Sequence, residues 1–126
     1  AKLLIVDDQP ISRALLIRGI NKNGLKDDYE VVEAENGVVG LQCFEANSQI
    51  QQMVVDVHMP VMDGLSMLRM MLVRWPDRLR ATKIYMVTTE ENVSLQRQCE
   101  SYGVDSWLLK PIDISKFCEH LRRFAA

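Results

Sequence analysis

Five short apolar runs, separated by helix-like segments and joined by tight connections, constrain this chain more than any other feature. The runs are Lys2–Val6 (KLLIV), Tyr29–Ala34 (YEVVEA), Met53–Val57 (MVVDV), Lys83–Thr88 (KIYMVT) and Ser106–Lys110 (SWLLK). Their length and their β-branched or aromatic residues make each read as a strand. Between them, apolar residues recur at helical spacing. Ile11, Ala14, Leu15 and Ile20 mark a first helical face, opened by Pro10 and closed by Asn23-Gly24. Val38, Leu41 and Phe44 mark a short second helix, and Leu65, Leu68, Met71 and Leu72 a third that Pro76 ends. Val93 to Tyr102 gives a weaker fourth pattern, stopped by Gly103. Ile114, Phe117, Cys118 and Leu121 set the last helix over Ile114–Phe124.

Strict strand–helix alternation requires crossover connections, hence parallel strands with helices on both faces of the sheet. Near-continuous apolar strands fit burial on both sides. The expected fold class is therefore α/β: one domain over residues 1–126, a doubly wound five-stranded parallel sheet; in a flavodoxin-like order, 2-1-3-4-5, the first and third strands would be neighbours. The stretch PDRLRATK, residues 76–83, reads as a basic connection before the fourth strand.

Composition narrows the partners. A net charge of −2 exerts no strong pull on nucleic acid or a membrane surface. No apolar stretch approaches the roughly 20 residues of a membrane span. Cys43, Cys99 and Cys118 are odd in number and far apart, which argues against a disulfide framework or a zinc site and for a reducing compartment. The sequence opens directly on a strand-like run, so a secretory leader is not expected. The expected location is the cytoplasm.

In doubly wound sheets, ligands sit beyond the carboxyl ends of the strands. The first strand ends on Asp7-Asp8, the third around Asp56, the fourth on Thr88-Thr89 and the fifth on Lys110-Pro111. Three carboxylates placed together repel one another unless a cation intervenes. Magnesium suits such a set and keeps positions open for phosphate oxygens. Asp7, Asp8 and Asp56 thus read as a Mg²⁺ site. Asp56 is then free to act as a nucleophile that forms an aspartyl-phosphate. Lys110 and the Thr88 hydroxyl are placed to pair with the outer phosphoryl oxygens.

The set Asp7-Asp8, DVHMPVMDG around Asp56, VTT at Val87–Thr89 and Lys110-Pro111 resembles the receiver domain of two-component response regulators, of the chemotaxis-regulator type. The resemblance covers essentially the whole chain. It implies that Asp56 is the phosphoacceptor, that Asp8 binds Mg²⁺ directly and Asp7 through water, and that His58 contributes a backbone carbonyl rather than its imidazole. It implies Thr88 as the switch hydroxyl and Lys110 as the phosphate-pairing lysine, with a cis bond to Pro111. Trp107 occupies a position commonly held by Tyr or Phe, a departure whose bulk restricts the inward rotamer; plain core packing is the competing reading. His58 and Glu90 match two variable positions that tune how long the phosphoryl group survives.

The function so implied is a phosphorylation switch and not a turnover enzyme. A histidine kinase or phosphotransfer protein donates to Asp56, and a downstream target protein reads the face formed by the fourth long helix, the fifth strand and the last helix. Direct nucleic-acid binding and membrane association are not expected. Two rival classes stay open: a pseudo-receiver that no longer phosphorylates, and an aspartyl-phosphate phosphohydrolase. The latter usually carries a second Asp two residues after the nucleophile, where this chain has His58. A flavin-binding relative is disfavoured by acidic loops where a phosphate cradle belongs. Elsewhere, Met67, Met70 and Met71 read as packing residues, His120 as solvated, and Arg74, Arg78, Arg80 and Lys83 as a solvated basic face, with partner docking as the alternative.

Overall fold

A computed structural model describes residues 1–124. The elements run β1 (Lys2–Val6), α1 (Pro10–Lys22), β2 (Glu30–Ala34), α2 (Gly37–Ala46), β3 (Ile50–Asp56), α3 (Gly64–Arg74), α4 (Pro76–Arg80), β4 (Lys83–Thr88), α5 (Val93–Ser101), β5 (Ser106–Leu109) and α6 (Ile114–Phe124). The five strands form one sheet in the order β2-β1-β3-β4-β5, with every pairing parallel. This is the flavodoxin-like order the sequence implied. All strand C-termini therefore open on the same edge.

The sheet separates two cores. Leu16 and Ile20 of α1 and Phe117, Cys118 and Leu121 of α6 pack on one face, against Leu3, Ile5, Val54, Tyr85 and Val87. Helices α2, α3, α4 and α5 cover the other face through Leu41, Phe44, Met67, Leu68, Met71, Leu79 and Cys99. Alternate residues of β1, β3 and β4 serve the two cores, which is why these strands are apolar along almost their whole length. Side-chain caps fix the helix starts that bear on the site. Asn36 accepts from the Val39 amide at α2, and Asp63 accepts from the Ser66 amide at 2.7 Å at α3. The Asp63-Gly64 pair is thus a helix start rather than a free turn.

Several expectations need correction. The first helical face is not Ile11, Ala14 and Leu15: Ile11 is 75% and Leu15 55% exposed, and Ala14 is exposed as well. The buried stripe is Leu16, Gly19 and Ile20, with Ile17 partly buried. A side chain at Gly19 would collide with Ile114, so the close approach of α1 and α6 hides a residue that carries no apolar signal. Strand β3 starts three residues earlier than Met53 and ends on Asp56. Its Gln52 is buried because Tyr85 donates to Gln52 Oε1 at 3.1 Å while Gln52 donates to the Tyr29 hydroxyl. The basic connection contains a helix, α4, which begins at Pro76 and buries Leu79. Arg78 is not solvated: its guanidinium lies 3.7 Å from the centre of the Phe44 ring and donates to Asn47 O. His120 is half-buried, edge-on to Tyr85. Met67 and Met71 are fully buried and Met70 partly so, as expected. The three cysteines are free thiols.

Candidate functional site

Strand register decides which side chains meet. Val6 pairs with Val55 across β1 and β3, so Asp7 and Asp56 follow at the same level of the sheet edge. Asp56 is opposite Val87, one residue before Thr88, and Thr88 is opposite Leu109, one residue before Lys110. One carboxylate oxygen from each of Asp7, Asp8 and Asp56 can be chosen so that all lie within 4.8 Å of one another. Asp7 and Asp56 are buried and Asp8 is half-buried, so Asp8 is the member of the cluster most open to solvent.

Lys110 holds two of these acids together. Its ammonium donates to Asp7 Oδ2 and to Asp56 Oδ2, each at 3.1 Å. Asp7 Oδ1 accepts from the Gln9 amide at 2.9 Å, and Asp56 Oδ1 accepts a longer bond, 3.4 Å, from the His58 amide. Burial pushes the Asp56 carboxyl above its ordinary range. The Lys110 hydrogen bond and charge pull it down, the Asp7 charge pushes it up, and the His58 amide pulls it down; burial prevails. Burial alone would lower the Lys110 ammonium, but its hydrogen bonds to Asp7 and Asp56 outweigh that and raise it.

Thr88 is fully buried, with its hydroxyl accepting from the Glu90 amide at 3.3 Å. The Lys110–Pro111 bond is cis, as the resemblance implied. His58 and Glu90, which the sequence placed separately, touch. Nε2 of His58 is 2.7 Å from Oε1 of Glu90, so the pair bridges the loops after β3 and β4. The imidazole is thereby engaged by Glu90. Trp107 pairs with Met86 in the sheet and lies half-buried beside the core that α5 covers. Its indole Nε1 is shielded from solvent with no hydrogen-bond partner.

Residues 3–122 match the response regulator receiver domain family. The chain belongs to that family. It is 32% identical over 110 residues to the chemotaxis protein CheY1 of Helicobacter pylori strain J99, covering 87% of this chain and 85% of the relative. It is 29% identical over 124 residues to the sensory/regulatory protein RpfC of Xanthomonas campestris pv. campestris, of which it spans only 16%. Among solved structures, the chemotaxis protein CheY4 of Vibrio cholerae superposes with a TM-score of 0.82 at 29% identity, covering 98% of this chain and 97% of that one. Receiver domains of this kind act in two-component signalling and typically hold Mg²⁺ in an acidic pocket. The donors here fit such an ion: all are hard carboxylate oxygens, they converge, and one side stays open for water or a phosphoryl oxygen. No helix among the described residues is long and apolar enough to cross a membrane.

One contributor escaped the sequence reading. Arg13 of α1, with a side chain only 15% exposed, donates to the Asp7 carbonyl at 2.6 Å and to Glu33 Oε1 at 3.0 Å. The available signal was spacing: positions 13, 16, 17 and 20 form one helical stripe, and Arg13 is its only charged member.

Proposed function

We propose that this receiver is a phosphorylation switch in which Asp56 accepts a phosphoryl group from a phosphohistidine on a histidine kinase or phosphotransfer protein. The observation that carries this reading is the Lys110 ammonium bridging two of three converged acids at the sheet edge. Asp7, Asp8, Asp56 and the His58 carbonyl would hold Mg²⁺, which supplies charge neutralisation at a phosphoryl oxygen when bound. Asp56 Oδ attacks phosphorus in line with the leaving imidazole nitrogen. Burial keeps water away from this oxygen, and Lys110 is in place to turn from Asp56 toward the incoming negative charge. The Thr88 hydroxyl, at the end of β4, bonds a further phosphoryl oxygen. Its inward shift frees space beside Trp107, and the face of α5, β5 and α6 changes for a downstream protein.

The donor's approach is supported by α1. Its exposed Leu15 lines a cavity of about 460 Å³ with Leu16, Ile112 and Ile114, and the cavity reaches Asp56 and Lys110. An apolar helix face of the donor protein would seat there and bring its phosphohistidine to the acids. His58 and Glu90, which bridge the loops after β3 and β4, set how readily water reaches the acyl phosphate.

The test is phosphoryl transfer from acetyl phosphate with Mg²⁺. Wild-type protein takes up one phosphoryl group and Asp56→Asn takes up none. Labelling of Asp56→Asn at the wild-type rate overturns the assignment. Release of many equivalents of inorganic phosphate at enzymatic rates would point to the phosphohydrolase. Failure of the wild type both to label and to bind beryllofluoride would point to the pseudo-receiver.

A further inference from the structure

The geometry points to Arg13 as a positioning residue for the Mg²⁺ site, acting through the backbone of the loop that carries both Asp7 and Asp8. The inference rests on the proposed Mg²⁺ site. Beyond Val6 the β1 strand leaves its ladder: the Asp7 amide still donates to Ala34 O at 3.0 Å, but the Asp7 carbonyl has passed the end of β2. The Arg13 guanidinium takes over that carbonyl at 2.6 Å. Its Nε is anchored in turn on Glu33 of β2. One planar group therefore ties α1, the loop and the neighbouring strand together, a use that suits a two-pronged guanidinium and not a point ammonium.

Holding is needed because the loop is under load. The carboxylates of Asp7, Asp8 and Asp56 repel one another, and Asp7 and Asp8 sit together on the loop that follows β1. The Asp7 side chain reaches the cluster in a turn closed by the Gln9 amide on Oδ1, and the Arg13 amide donates to Gln9 O at 3.3 Å. Arg13 thus grips this turn from its own amide and from its side chain. It touches the acids only through the main chain, so it occupies none of their carboxylate oxygens.

Electrostatics and positioning predict opposite signs, which makes the proposal decidable. Arg13→Met keeps an apolar stem on the buried stripe of α1 but removes a positive charge beside three acids. If Arg13 mattered only as a charge, Mg²⁺ would bind more tightly. As a positioning residue its loss weakens Mg²⁺ by about tenfold, the scale of outer-shell substitutions at metal sites. Arg13→Lys, which keeps the charge and loses the fork, weakens Mg²⁺ nearly as much. The measurement is Mg²⁺ titration by calorimetry, paired with amide exchange in metal-free protein. There the Gln9 amide exchanges about tenfold faster in both variants, as expected when one charge-assisted hydrogen bond opens. Unchanged or tighter Mg²⁺ binding in Arg13→Met, or Gln9 exchange at the wild-type rate, overturns the role of Arg13. A wild type that fails to bind Mg²⁺ overturns the metal site instead, and the Gln9 exchange still decides whether Arg13 holds the loop.

Discussion

Removing the Lys110 ammonium should destabilise the metal-free protein far more than the Mg²⁺-loaded one. Lys110→Met leaves Asp7 and Asp56, whose side chains are 7% and 9% exposed, facing each other without their shared cation. Breaking a buried ion pair by deleting one partner costs about 3–5 kcal/mol. The lower end applies, because Lys110 is itself 20% exposed and the cluster opens to solvent through Asp8. A chain of 126 residues has an unfolding entropy of roughly 0.26 kcal/mol/K, so a loss of about 3 kcal/mol lowers Tm by about 11 °C. The effect also has a pH sign. Burial already holds Asp56 above its ordinary carboxyl range in the folded state, and losing Lys110 pushes it further. The unfolded chain gives up this proton at lower pH than the folded one. Stability therefore falls as pH rises from the ordinary carboxyl range through the raised folded value, and the loss shrinks when the medium is acidified. Thermal scans of wild type and Lys110→Met, in a chelator and in saturating Mg²⁺ across pH 5 to 8, check this. Bound Mg²⁺ neutralises the same oxygens and should restore more than half of the lost Tm. An equal loss with and without Mg²⁺, or a loss below about 3 °C in chelator, refutes the picture of one ammonium balancing converged acids.

Three further outcomes follow from the same geometry. In metal-free protein, Asp56→Asn raises Tm at pH 8 because a buried carboxylate held above its ordinary range is replaced by a neutral amide, and the gain disappears on acidification; thermal scans in chelator measure it. His58→Ala and Glu90→Ala each shorten the life of the phosphorylated form by no more than about fivefold, since an exposed pair contributes about 1 kcal/mol or less, and the double variant adds little to either; phosphate release after removal of donor reports it. Tyr85→Phe leaves Gln52 Oε1 without its buried donor, costs about 1–3 kcal/mol and lowers Tm by about 4–11 °C, while labelling of Asp56 is unchanged.

The parts of this fold that were legible in the sequence are those where burial and residue type agree. Strands β1 and β4 lie between two layers of helices, so almost nothing polar interrupts them and their limits read correctly. The acids and Lys110 were legible for the converse reason: each is a charge placed where an apolar run stops, and a parallel sheet brings all such stops to one edge. The failures came where a buried position carries a residue that does not look buried. Gln52 is satisfied by two tyrosines that are distant in sequence, and so the start of β3 read as loop. Gly19 is buried by the proximity of Ile114, and with it missing from the pattern the exposed Ile11 and Leu15 drew the face of α1 to the wrong side. In α4, a single buried Leu79 among charges gives no periodicity to detect.

Arg13 belongs to the same class of failure, and it bears on how the two cations divide their work. A cation that touched all three acids would quiet their repulsion but would also occupy the oxygens that a metal and a phosphoryl group require. Lys110 touches two acids through one oxygen each, and its flexible stem allows it to move when a more negative group arrives. Arg13 touches none of the carboxylates and is fixed between the Asp7 carbonyl and Glu33, so it cannot follow the phosphoryl group but can keep the loop in place throughout. Exchanging the residue types should therefore fail in both directions. An arginine at position 110 is a longer, planar group that cannot swing between the acids and an incoming phosphate as an ammonium does, and a lysine at position 13 cannot hold a carbonyl and a carboxylate at once. The separation of a mobile charge from a fixed one allows three acids to stay converged while the fixed cation occupies none of their carboxylate oxygens and the mobile one can give up its own to an incoming group.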